Sequence, residues 1–227
     1  MMENIQLVRF RGPHLGVLAV IFATLFIFGL SFVINFNPGM PHYPNPYDPA
    51  AAITAYFRAH PHDALMCTFF QFLSAIPLGI FTVTAWTRLR WLGVKAAGPS
   101  IGLLGGLLTT MGMFVGCMVA WTMVFPGVAA DEGALRALYY VGFGIGGVGY
   151  SVPMGLLIAG IAVPAGFMRL LPRWMVVFGV VLGIIGETSC LALLSPAATP
   201  LIPLTRFPGF IWLIIAGFML AKQRPKK

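Results

Sequence analysis

The sequence predicts an all-α fold: a polytopic membrane protein, a bundle of six transmembrane helices with both termini cytoplasmic. Three observations predict it. Of 227 residues, 59% are hydrophobic and only 9% charged, with mean hydropathy +0.89, whereas a soluble domain is about one quarter charged. Six apolar stretches are long enough to cross about 30 Å of hydrocarbon. They fall at about 14–35, 64–86, 100–125, 135–165, 174–195 and 207–221. Lys and Arg gather on alternate connections, as the positive-inside rule requires.

The first stretch follows Arg9 and Arg11. It is longer than a signal-peptide core, and "INFNPGMPHYP" after it lacks a small-x-small cleavage site. A retained first helix is expected. The connection 36–63 is the longest and carries its own signals. Asp48-Pro49 reads as an N-cap and first helical residue. "AAAITAYFRA" then forms a short interfacial helix with Ile53, Tyr56 and Phe57 on one side. Pro61 ends it, and Asp63 caps the second membrane helix. The remaining four stretches follow with short connections, so 1–227 reads as one membrane domain.

Orientation follows from the basic residues. One side holds Arg9, Arg11, Arg88, Arg90, Lys95, Arg169, Arg173 and the tail Lys222, Arg224, Lys226 and Lys227. The other holds only Arg58, Arg136 and Arg206. The first side is therefore expected in the cytoplasm of a cell-membrane protein. The net charge of +8 is placed at helix ends and in the tail. Attraction to anionic lipid explains it at about 1 kcal/mol per basic residue, and no nucleic-acid partner is required. Cys67, Cys117 and Cys190 all fall in apolar runs without a CxxC spacing, so no disulfide framework is readable.

An internal repeat is visible. "SAIPLGI" (74–80) matches "YSVPMGL" (150–156), the basic turns "RLRW" and "RLLPRW" follow, and "LGGLLTT" (104–110) matches "LGIIGET" (182–188). Helices two and three then correspond to four and five, with Glu187 at the place of Thr109. Chance likeness between glycine-rich apolar helices is the alternative.

The chain has 6 acidic residues, and Glu187 alone lies inside an apolar stretch. A lone ionised carboxylate in hydrocarbon costs several kcal/mol, so it is expected to be neutral, hydrated or paired. No Lys or Arg is expected in a membrane core to pair with it. Gly179, Gly183, Gly186, Glu187 and Cys190 form one stripe at helical spacing. Small residues mark helix contacts in membranes, so Glu187 is expected to face the bundle. Gln71 and Ser74 on helix two, Tyr150 on helix four and Thr188 beside the acid lie at similar depth and complete a candidate ligand-binding pocket. The alternative is a neutral Glu187 serving as hydrogen-bonding glue between helices.

Other patterns point elsewhere. Gly142 and Gly146 allow close helix approach. The GxGxxG match over 142–147 has no strand before it and is no nucleotide site. Pro77 and Pro153 permit kinks. Met113, Cys117, Cys67, Cys190, His42, His60 and His62 offer soft ligands, but no spacing matches a metal motif. No cofactor or metal is therefore expected. HExxH, GxSxG and paired-carboxylate motifs are lacking, which leans against an enzyme.

The segments "NPYDPAAAITAYFRAHPHDALM" (45–66) and "FQFLSAIPLGIFTVTAWTRLR" (70–90) resemble uncharacterised bacterial multi-pass membrane proteins grouped as a domain of unknown function. In these an Asp-Pro outer helix precedes an apolar helix and a basic turn. The resemblance covers the first half of the chain. It implies a small bacterial inner-membrane protein and transfers no site residues. The leading expectation is a membrane protein that binds or moves a small ligand or proton through an outward-facing pocket around Glu187. The alternatives are a structural or regulatory subunit docking a membrane-protein partner through glycine-rich faces and, third, an intramembrane enzyme. The expected partners are the lipid bilayer with a small-molecule ligand or a membrane-protein partner.

Overall fold

A computed structural model describes residues 7–34 and 43–225. Glu3, His42, Lys226, Lys227 and the start of the long connection lie outside them. Helix α1 spans Leu15–Leu30, and His14 Nδ1 accepts a 3.4 Å hydrogen bond from the Val17 amide at its start. The short helix α2 spans Ala50–Ala59 and α3 spans Pro61–Trp91. Next come α4 (Gly98–Met123), the single turn α5 (Pro126–Ala130) and α6 (Glu132–Phe143). A π-helical turn, Gly144–Val148, joins α6 to α7 (Gly149–Phe167) in one rod. Then α8 (Arg173–Thr188) runs into a 3-10 turn, Ser189–Leu193, and α9 spans Leu201–Met219.

Among the described residues, five rods are long and apolar enough to cross a membrane: Pro61–Trp91, Gly98–Met123, Glu132–Phe167, Arg173–Leu193 and Pro196–Met219. Helix α1 is apolar but shorter, at 16 residues. The chain is thus an all-α, multi-pass membrane protein. The long helices close into a ring in the order α1, α3, α4, α7, α8, α9 and back to α1. Strands Leu7–Arg9 (β1) and Gln223–Pro225 (β2) pair antiparallel, Val8 opposite Arg224, where the chain enters α1 and leaves α9. This is the ribbon end of the bundle. The opposite end carries α2 and is the lid end.

Glycine lets the helices approach closely. A Cβ on Gly160 of α7 would stand 2.3 Å from the Gly102 amide nitrogen of α4. One on Gly186 of α8 would stand 2.7 Å from Gly155 Cα of α7. Backbone cannot yield as a side chain can, so α7 is fixed between α4 and α8. Buried Leu15, Phe22, Leu78, Met154 and Leu213 fill the centre, and Trp212 Nε1 donates to the Met175 carbonyl at 2.9 Å.

The repeat has a structural counterpart. Pro77 and Pro153 both lie inside helices. At the same remove from them, Gly93 (φ 97°) and Arg169 (φ 53°) adopt left-handed backbone. Both turns close with the same pair of bonds: Gly93 N to Arg90 O at 3.0 Å with Val94 N to Leu89 O at 3.1 Å, and Arg169 N to Gly166 O at 3.0 Å with Leu170 N to Ala165 O at 2.8 Å. This is the helix-ending motif that glycine favours and that closes many helices; after α7 it is built from arginine.

Three local expectations are corrected. Asp48 does not cap α2; its Oδ2 accepts from the Asn45 amide at 2.7 Å and closes the turn before the helix, leaving Pro49 at the cap. Pro61 begins α3, since a missing N–H costs nothing in a first turn. Ile53, Tyr56 and Phe57 do face one way, but into protein: they are buried against Ala64, Met123, Leu135 and Tyr139.

Candidate functional site

A cavity of about 280 Å³ lies inside the lid-end half of the ring. Ligand sites for small molecules start at about 300 Å³, so this one suits a compact guest. Its walls come from α1 through Phe26 and Leu30, α3 through Cys67, Thr68 and Gln71, and α4 through Met113 and Cys117. The rod α6–α7 adds Tyr139, Gly146 and Tyr150, and α9 adds Ile202 and Arg206. Tyr43 and Phe57 close the lid end. Helix α8 contributes none of the lining.

Arg206 is the charged residue in this lining. It enters the cavity one turn into α9, where Pro200, not a later residue, caps the helix. Its Nη2 donates to the Gly146 carbonyl, inside the π-helical turn. A π turn breaks the regular i→i−4 ladder and recurs at functional sites. The guanidinium also sits 4.5 Å from the Tyr150 ring centroid and 5.4 Å from that of Phe26. Such contacts stabilise a desolvated cation by up to about 2 kcal/mol each. Even so, Arg206 Nε is buried without a hydrogen-bond partner, and no carboxylate pairs with the side chain among the described residues. A buried charge without an opposite charge is costly in an apolar interior. The site therefore holds positive charge that the protein only partly compensates.

The polar neighbours are sparse. Tyr150 is 1% exposed, and its hydroxyl has no hydrogen-bond partner in the described protein. Gln71 Nε2 donates to Cys67 Sγ at 3.3 Å, and the Ser74 hydroxyl donates to the Gln71 carbonyl at 2.7 Å. Aromatic rings supply much of the rest.

The lid is fastened over the cavity at several points. Tyr139 donates its hydroxyl to the Pro44 carbonyl. Arg58 donates from Nε to the Ala129 carbonyl and from Nη2 to the Ala130 carbonyl, both at 2.8 Å. Tyr47 reaches the Ala192 carbonyl at 3.4 Å. Burial holds the Tyr56 phenol up at about 12, with the nearby Asp63 charge second, so it stays neutral.

The sequence-derived set divides here. Gln71 and Tyr150 meet at one cavity, and Ser74 is fully buried behind Gln71. Glu187 and Thr188 are elsewhere: both are exposed on the outer surface of α8, and Thr188 bonds back to the Ile184 carbonyl at 2.8 Å. The reason is angular. The buried stripe of α8 runs Met175, Gly179, Leu182, Gly183 and Gly186. Each helical residue turns about 100°, so Glu187 follows Gly186 out of the contact while its backbone stays against Gly155.

Two arginines lie inside crossing-length rods. Arg206 is one to two turns into α9, and Arg88 is in the last turn of α3, 2% exposed, donating to the Pro13 carbonyl at 3.2 Å. Arg206 is the site residue that sequence reasoning missed. Pro200, Pro203 and the "PAATP" before them read as loop, which placed the helix start after Arg206. Proline is welcome in a first turn, and that rule, applied to "TPLIPLTR", would have found it.

Compared with known proteins, the chain matches no family model, no curated protein and no solved structure.

Proposed function

We propose that the chain is a six-pass protein of the cell membrane, with both termini cytoplasmic, that binds a small ligand in the Arg206 cavity. The observation that carries this reading is a partly open pocket of about 280 Å³ between apolar helices, lined by a cation with no carboxylate partner among the described residues. Hydrocarbon-embedded charge is expensive and marks ligand or ion sites. Helix α1 supplies the sixth pass. Its 16 residues reach about 24 Å, within what a bilayer absorbs by local thinning. Arg9, Arg90, Lys95, Arg173 and Lys222 at the ribbon end set that end in the cytoplasm, so the cavity and its lid face outward. Gln71 and Tyr150 keep the ligand-facing roles expected of them, Ser74 supports Gln71, and Arg206 takes the place expected of Glu187.

The rival reading needs glycine faces free for a partner. Gly102, Gly105, Gly155, Gly160 and Gly186 are engaged between α4, α7 and α8 of this chain, so the rival reading is left with Gly144 and Gly146, which have open space beside them.

Cysteine chemistry tests the proposal. Cys67 and Cys117 line the cavity, whereas Cys190 is exposed. A panel of small organic anions, cations and neutral compounds is screened against alkylation of the full chain by a small maleimide. At least one compound is expected to slow Cys67 and Cys117 several-fold while leaving Cys190 unchanged. A panel in which no compound slows Cys67 or Cys117 relative to the ligand-free chain overturns the reading.

A further inference from the structure

The geometry points to a small organic monoanion as the ligand of this cavity: a carboxylate or sulfonate on a flat or short apolar body, its charged group beside Arg206. The inference rests on the ligand-binding reading above and adds the chemical class.

Sign comes first. Arginine stays protonated at any physiological pH. Here its partners are one backbone carbonyl and two ring faces, none of which carries a formal charge. A guest cation would meet Arg206 with no acid in the lining to offset it. A neutral guest would leave the arginine as it is. An anion supplies the missing charge in a setting where Coulomb attraction is weakly screened, and the planar guanidinium matches a carboxylate fork. The Tyr150 hydroxyl, stacked by its ring against the same guanidinium and without a protein partner, is a second donor in the same place.

Charge number comes second. Arg206 is the one formal charge among the described lining residues. A phosphate-like dianion would leave an excess negative charge in an apolar enclosure, which is again costly. A monoanion closes the balance.

Size and shape come third. At about 280 Å³ the pocket lies at the small end of the range for small-molecule sites. A compact guest such as benzoate suits it. Phe26, Phe57, Tyr139 and Met113 give the body of such a guest apolar walls.

The test uses three labelled probes of one shape: benzoate, benzamide and benzylamine. Each is equilibrated by dialysis against the full chain in detergent micelles. Benzoate is expected to bind at least tenfold more tightly than the other two. Arg206→Gln is expected to weaken benzoate at least tenfold and to leave benzamide unchanged, with Arg206→Lys restoring part of the loss. Probe selectivity on the unaltered chain decides the matter even where a variant fails to fold. Benzamide or benzylamine binding as well as benzoate overturns the anion class while the cavity remains a ligand site. Benzoate bound equally by Arg206→Gln, or not bound at all, overturns it too. Failure of the cavity itself is read separately, from the alkylation of Cys67 and Cys117.

Discussion

Arg206 and Glu187 both sit on crossing-length rods at the lid-end half, and the fold treats them oppositely. Arg206 is turned into the ring, against Tyr150, Phe26 and the Gly146 carbonyl. Glu187 is turned out, among Val181 at 46%, Ile184 at 59% and Leu191 at 46% exposure. A carboxylate can shed its charge by taking a proton when water leaves it. A guanidinium cannot. The acid is therefore tolerable at the edge of a lipid-facing surface, and the base needs an interior built for it. The comparison teaches that, within a bilayer, the group that cannot neutralise itself is the one that acquires a pocket.

The sharpest way to break this contrast is to remove or reverse each charge in turn. Arg206→Glu puts a carboxylate against the Gly146 carbonyl and two ring faces, and a buried charge without a partner costs about 3–5 kcal/mol. Glu187→Gln, on the outer face, should stay within about 0.5 kcal/mol in detergent. Thermal unfolding followed by tryptophan fluorescence measures both. Equal losses from the two variants would erase the distinction.

A smaller effect probes the lid. Tyr139→Phe removes the bond to the Pro44 carbonyl and should cost about 1–2 kcal/mol, because it leaves a buried acceptor unpaired. Hydrogen exchange should quicken over 43–59 and stay the same over α8. An effect spread evenly over both regions would mean that the cavity end and the α8 face are not separable.

The smallest effect lies at the ribbon end, where like charges crowd without a cavity. Burial first, then Lys222 and Arg88, hold the His14 imidazole below its usual 6.5. The unfolded chain then takes up this proton before the folded one does, so stability is present above pH 6.5 and lost as pH falls below it. Unfolding midpoints compared at pH 7.5 and 5.5 should show a drop that His14→Asn removes. A drop that persists in that variant would assign it to another group.

Much of the fold was legible because helical spans obey length and hydropathy, which are sums over many residues. Five of the stretches fall on crossing-length rods, and the first falls on the shorter α1. The candidate site was legible in part. Gln71 and Tyr150 line the same pocket, and depth is a count of residues along a rod. Facing is less forgiving. A stripe of small residues fixes a direction only to within one position, and Glu187 misses the contact by that one position. Arg206 was hidden by a different physics. Its helix begins amid prolines, which break a helix interior but suit a first turn, and a shift of the start by six residues moves a loop arginine into α9.

The two short strands at the ribbon end bear on how the molecule yields to force. Leu7 opposes Pro225 at the open edge of the ladder, and Arg9 opposes Gln223 nearest the helices. Tension drawn between the two chain ends would reach these pairs singly and in order, as teeth of a zip, never together in shear. The ribbon would part at low load, and resistance would then pass to the seam between α1 and α9, where Gly16 lies against Gly217.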